Sequence, residues 1–114
     1  MTSVFEAFGS LGIVPVLEIE QEEQAVPTAL ALAAGGLPAA EVTLRTPAAL
    51  GSIRRIAAQA PGVLVGAGTV LTLEQARAAR DAGAQFLVAP GLAPAVVAWA
   101  LEQGIPVLPG VMTP

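Results

Sequence analysis

The sequence predicts an α/β fold, the N-terminal five-strand part of a (β/α)8 TIM barrel, an incomplete barrel. Three observations carry this expectation. Short apolar runs alternate with longer segments of helical period, the second apolar run is polar on one face only, and the units number five strands and four helices, a little over half of a barrel. With 114 residues the chain makes at most one domain, residues 1–114, and falls well short of the about 250 residues of a complete barrel.

The predicted strands are Ile13–Leu17, Ala40–Leu44, Val63–Ala67, Phe86–Ala89 and Pro106–Leu108. The predicted helices, Glu22–Ala34, Pro47–Gln59, Leu73–Ala82 and Pro94–Gln103, are rich in Ala, Leu, Glu or Arg. Each gap between strands leaves room for a crossover helix, which implies a parallel sheet with right-handed connections. In the first helix Pro27 either kinks the segment or marks a first turn later than Glu22. Glycines follow the helices at Gly35–Gly36, Gly83 and Gly104, where a left-handed residue ends a helix at low cost.

The second strand separates a barrel from a doubly wound sheet. Alternation puts Glu41, Thr43 and Arg45 on one face and Val42 and Leu44 on the other, and a charged stripe inside a central strand suits a barrel interior better than a helix-covered sheet. Thr46–Pro47 then reads as a side-chain cap followed by proline at the first helical position. The third strand exits through Gly66-Ala67-Gly68-Thr69, where two glycines admit a close neighbour. Thr72 with Gln75 forms a capping box for the third helix, whose Leu73, Ala76 and Ala79 face the sheet while Glu74, Arg77 and Arg80 turn to solvent. Ala89-Pro90-Gly91 and Leu108-Pro109-Gly110 are equivalent strand exits, and Phe86 and Trp99 read as core. The last residues repeat the Thr-Pro helix start, so the chain is expected to stop as a fifth long helix begins, leaving two open sheet edges and an uncovered interior.

Composition removes whole chemistries. At 54% hydrophobic and 12% charged the chain has ample apolar surface to bury and is not disordered. It contains no His, Cys or Lys, which excludes the usual catalytic zinc site, Ser-His-Asp and Cys-His nucleophiles, and a lysine Schiff base within these residues. No metal or cofactor is expected, since the third-strand glycines lack the dinucleotide pattern and no P-loop lysine follows. A net charge of −4 argues against nucleic-acid and anionic-membrane partners. The first residues carry Glu6 and no basic group ahead of the first apolar stretch, unlike a signal peptide, so a cytoplasmic protein is expected.

Glu41 leads the candidate residues, because a carboxylate within a strand is costly unless it is paired, hydrogen-bonded or used as an acid/base. A structural ion pair is the other reading. Arg45 follows at the strand's C-terminal end, where its planar fork suits a carboxylate or phosphate, or it is a surface arginine. Thr69 offers a hydroxyl at the rim, and Glu20, Glu22 and Glu23 read as a solvated acidic helix start.

In order and spacing, Gly12-Ile13-Val14-Pro15-Val16-Leu17, Glu41-Val42-Thr43-Leu44-Arg45-Thr46, Gly66-Ala67-Gly68-Thr69-Val70-Leu71, Gly83-Ala84-Gln85-Phe86 with Pro90-Gly91, and Pro106-Val107-Leu108-Pro109-Gly110 resemble the bacterial 2-keto-3-deoxy-6-phosphogluconate (KDPG) aldolase family. Its members also act as 4-hydroxy-2-oxoglutarate aldolases. The Glu-Val-Thr-Leu-Arg-Thr run favours this branch over the phosphogalactonate aldolases. The resemblance implies a class I aldolase, in which a lysine amine attacks the C2 ketone and the Schiff base is the electron sink for cleavage to pyruvate and glyceraldehyde 3-phosphate. It makes Glu41 the acid/base group acting through a water, Arg45 and Thr69 the groups that hold the pyruvyl carboxylate, and Pro90 a strand-exit residue beside the site. It also implies a homotrimer and a small 2-keto acid substrate. The family's Schiff-base lysine and phosphate-binding loops fall beyond Pro114, so these residues alone are expected to be inactive. Two other readings stay open: a non-catalytic half-barrel that dimerises as a scaffold or interaction module, and a sugar-phosphate isomerase or epimerase on the same fold.

Overall fold

A computed structural model of the chain describes residues 14–89 and 94–109. Five strands, β1 (Val16–Leu17), β2 (Ala39–Thr43), β3 (Leu64–Gly68), β4 (Leu87–Ala89) and β5 (Val107–Pro109), form one parallel sheet in the order β1-β2-β3-β4-β5. Four α-helices connect them: α1 (Ala25–Ala34), α2 (Ala49–Gln59), α3 (Leu73–Ala82) and α4 (Pro94–Gln103). This is the open, five-strand part of a (β/α)8 barrel. Strand order equals chain order, and among the described residues β1 and β5 each pair on one side only.

Alternation along the strands divides the sheet into two faces. Val42, Val65, Ala67 and Leu87 face the helices and join Ile53, Ile56, Ala76, Ala79 and Val96 in one apolar core. The opposite, inner face carries Val16, Glu41 and Thr43, Gly66 and Gly68, and Phe86, aligned by the pairings Val16 with Glu41, Glu41 with Gly66 and Thr43 with Gly68. Trp99 belongs to the helix-side core as expected. Phe86 is fully buried, as expected of a core residue, and lies on the inner face of the sheet with its ring over Gly66, apart from the helix-side cluster.

Helices α3 and α4 have the predicted bounds, whereas the first two start late for local reasons. Glu22–Gln24 form a 3₁₀ turn and α1 begins at Ala25, so Pro27 falls in its first turn, where a missing N–H costs nothing. Helix α2 begins at Ala49, with Ala48 at its N-cap and no side-chain cap. The Thr46 hydroxyl instead donates to the Ile19 carbonyl at 2.5 Å, tying the loop after β2 to the loop after β1. Glu22 is likewise no free acidic start: its Oε2 accepts from Arg55 Nε at 2.6 Å, across the bare surface of Gly51. Arg80 donates to Gln103 at 3.0 Å and stacks over Trp99 at 5.1 Å, so it fastens α3 to α4 rather than facing only water.

The Thr72–Gln75 capping box forms in full. Thr72 Oγ1 accepts from Gln75 N at 3.1 Å, and Gln75 Oε1 accepts from Thr72 N at 3.2 Å and Leu71 N at 2.7 Å. Gly83 closes the same helix at φ 108, left-handed as expected. Thr72→Ala is expected to cost about 1 kcal/mol, read as a lower urea midpoint at unchanged m-value. Among the described residues no helix is long and apolar enough to cross a membrane.

Candidate active site

Glu41 occupies the middle of β2 on the inner face, half-buried, and its side chain lies over Gly68 of β3. Burial raises its pKa above the ordinary glutamate value of 4.5, because the charged form loses hydration, while the positive charge of Arg45 acts in the opposite direction. Burial wins, so the carboxyl keeps its proton to higher pH than a free glutamate.

Thr43 follows on the same face, buried, with Oγ1 unpartnered among the described residues. Arg45 lies outside the alternation assumed for it, since β2 ends at Thr43 and Leu44–Arg45 form a turn. Its side chain is exposed and makes no ion pair among the described residues, yet it is the one charge that shifts Glu41. The structure thus brings Arg45 to the rim at the C-terminal end of β2, an available cation near a carboxyl whose pKa burial raises.

Thr69 is half-buried at the end of β3 and has φ 58, the left-handed region that a β-branched residue adopts only under constraint. The constraint comes from both flanks. Gly68 O accepts from Leu44 N at 2.9 Å, and Val70 N donates to Val88 O at 3.1 Å, so the backbone must turn within one residue. Pro90, the fourth site residue named from sequence, lies outside the described residues.

Single-sequence reading identified the two glycines of β3 but not what fills them. The close neighbour that each glycine admits is a side chain: Phe86 over Gly66 and Glu41 over Gly68. The signal was the Gly-x-Gly spacing, one inner-face position apart, but its meaning depends on register with β2 and β4. A cavity of about 460 Å³ lies between the loop after β2 and the start of α3, lined by residues including Leu44, Thr46, Leu50, Thr72 and Gln75, and does not include Glu41.

Fold and site together define part of a (β/α)8 barrel with a half-buried carboxyl on its inner face and an available arginine at the end of the same strand. The family described as KDPG and KHG aldolase matches residues 4–114. The chain is 49% identical over 111 residues to the 2-dehydro-3-deoxy-phosphogluconate aldolase of Treponema pallidum, covering 97% of this chain and 53% of that protein. It is 48% identical over 101 residues to the KHG/KDPG aldolase of Escherichia coli K12, covering 89% and 47%. Among solved structures, the KDPG aldolase of Legionella pneumophila, with pyruvate captured as a covalent carbinolamine, matches with a TM-score of 0.89 at 38% identity, covering 98% of this chain and 54% of that one. The Zymomonas mobilis enzyme with 3-phosphoglycerate matches with a TM-score of 0.81 at 48% identity, covering 89% and 48%. The chain belongs to the KDPG and KHG aldolase family. It spans about half the length of the curated relatives it matches.

Proposed function

We propose that these residues form the acid/base and carboxylate-binding part of a class I aldolase site. The substrates of that site are 2-keto-3-deoxy-6-phosphogluconate, cleaved to pyruvate and glyceraldehyde 3-phosphate, and 4-hydroxy-2-oxoglutarate, cleaved to pyruvate and glyoxylate. The homotrimer and cytoplasmic setting that accompany the family resemblance are part of the same proposal. The observation that carries it is the Glu41 carboxyl, half-buried on the inner face over Gly68 with its proton affinity raised, in a chain of this family.

Residues 1–114 contain no lysine, so the Schiff-base amine comes from elsewhere in the protein. The amine adds to C2 of the keto acid and water leaves, giving an iminium. The substrate C4 hydroxyl then loses its proton to Glu41 through a water, the C3–C4 bond breaks, and its electron pair moves into the iminium to give an enamine. Protonation at C3 by the same group and hydrolysis release pyruvate. Arg45 pairs with the pyruvyl carboxylate and Thr69 adds a hydroxyl at the rim, and the family resemblance adds Pro90 as a strand-exit residue.

Borohydride reduction of the intact gene product with pyruvate, its N-terminal amine blocked, tests this reading by mass. One reduced adduct on a lysine outside residues 1–114 is expected; no adduct, together with a stable dimer, would favour the scaffold reading instead. Arg45→Ala is expected to raise the KM for the keto acid at least about tenfold, since a charge-assisted hydrogen bond contributes about 1.5–3 kcal/mol, with a smaller change in kcat.

A further inference from the structure

We infer that Gly68 is a positioning residue for the acid/base group, because the Glu41 carboxyl occupies the place its side chain would take. This rests on the reading of Glu41 given above.

The two glycines of β3 that face inward are filled from opposite sides. Glu41 pairs in register with Gly66, one position short of Gly68, so the nearest vacancy for its side chain is the surface of Gly66. The Phe86 ring from β4 already fills it: a Cβ built on Gly66 would fall 2.5 Å from ring carbon Cδ2 and nearer still to two others. The Glu41 side chain therefore runs forward to the next inner position, over Gly68. A Cβ there would stand 2.7 Å from Glu41 Cδ and 2.8 Å from Cγ, with Oε2 closer again, distances that force the carboxyl to move.

Backbone conformation gives no other reason for glycine at this site. The described glycines with positive φ are Gly36, Gly83 and Gly104, and Gly68 is an ordinary strand residue whose φ any residue adopts. Its vacancy serves the neighbouring side chain. The register partner of Gly68 is Thr43, whose buried hydroxyl has no partner among the described residues and stands on the same face. The carboxyl thus lies over Gly68 of β3, with the Phe86 ring over the preceding inner-face glycine and Thr43 at the register position of Gly68. Among the described residues, Arg45 is the charged group that acts on it.

The test is Gly68→Ala in the intact gene product. Turnover is expected to fall about 10–100-fold, part of what a positioned acid/base group contributes, with the keto-acid KM within about twofold. The acid limb of the pH–rate profile should move down as the carboxyl is pushed toward water. In a Glu41→Ala background the same change should alter the residual rate less than about twofold, since a residue acting through Glu41 has nothing left to position. An equal loss in both backgrounds, or an unchanged kcat and pH profile, would overturn the inference. If Gly68→Ala does not fold, the double variant Gly68→Ala/Glu41→Ala removes the clash. Recovery of folding supports the seat and failure to recover overturns it. Titration of the Glu41 carboxyl by ¹³C NMR reads the seat without turnover. A pKa moved toward 4.5 in Gly68→Ala supports it and an unmoved one sinks it, even if Glu41→Gln shows that the functional reading itself fails.

Discussion

Glu41→Gln is expected to lower aldol turnover of the intact protein by about 10²–10⁴-fold, the range for loss of a positioned acid/base group, while raising its stability at neutral pH. The two effects share a cause. Burial raises the folded-state pKa of Glu41 above 4.5, so between 4.5 and that raised value the folded protein binds more protons than the unfolded chain. Stability from this group is fully present below pH 4.5, falls as pH rises through the folded pKa, and stays reduced above it. An uncharged glutamine of the same shape removes that loss. Urea unfolding at pH 7 and at pH 4 checks the sign: the variant should gain at pH 7 and gain little at pH 4. A variant less stable than the parent at pH 7 would mean that the carboxylate form is held by interactions stronger than its desolvation.

The second large effect is expected at Phe86. Phe86→Ala should destabilise the protein by about 3–5 kcal/mol, a large share of the about 5–15 kcal/mol typical of a folded domain. The ring is fully buried, and across the strand its neighbour is Gly66, which offers no side chain to move into the space. Deleting it opens a void beside Glu41, so the loss of stability should come with a Glu41 pKa shifted back toward 4.5 as water enters. Phe86→Leu should cost less and leave the pKa nearer its native position. Equilibrium unfolding and carboxyl titration of the two variants measure both quantities, and an alanine variant that loses stability without moving Glu41 would uncouple the ring from the site.

Elements governed by residues close in sequence were the legible ones. The alternation of strand and helix, the parallel sheet, the Thr72–Gln75 box and the left-handed Gly83 follow from local pattern and local chemistry, and the structure contains all of them. The errors arise where a distant partner intervenes. Thr46 has every local feature of an N-cap, but the Ile19 carbonyl 27 residues away claims its hydroxyl, and α2 starts at Ala49 instead. Glu22 looked solvated until Arg55, 33 residues on, met it across Gly51. At the candidate site, Glu41 and Arg45 were visible as charges in an apolar strand. The seat over Gly68 was not, since it depends on the register between β2 and β3 and on Phe86 already occupying the nearer vacancy. The φ of Thr69 belongs with these, because two inter-strand hydrogen bonds impose it from outside its own peptide.

The sheet order β1-β2-β3-β4-β5 has a consequence for how the chain holds together. Among the described residues, every extensive contact between elements falls within one strand-helix unit or between successive units, and the densest joins β2 to β3. Energetically such a chain behaves as a row of nearest-neighbour couplings, in which each unit completes a surface that the next one covers. Within the described residues, the surface between two successive units is one such seam. The Glu41 seat spans the seam between β2 and β3, where those couplings are densest, so the carboxyl is held at the most extensively packed seam of the sheet.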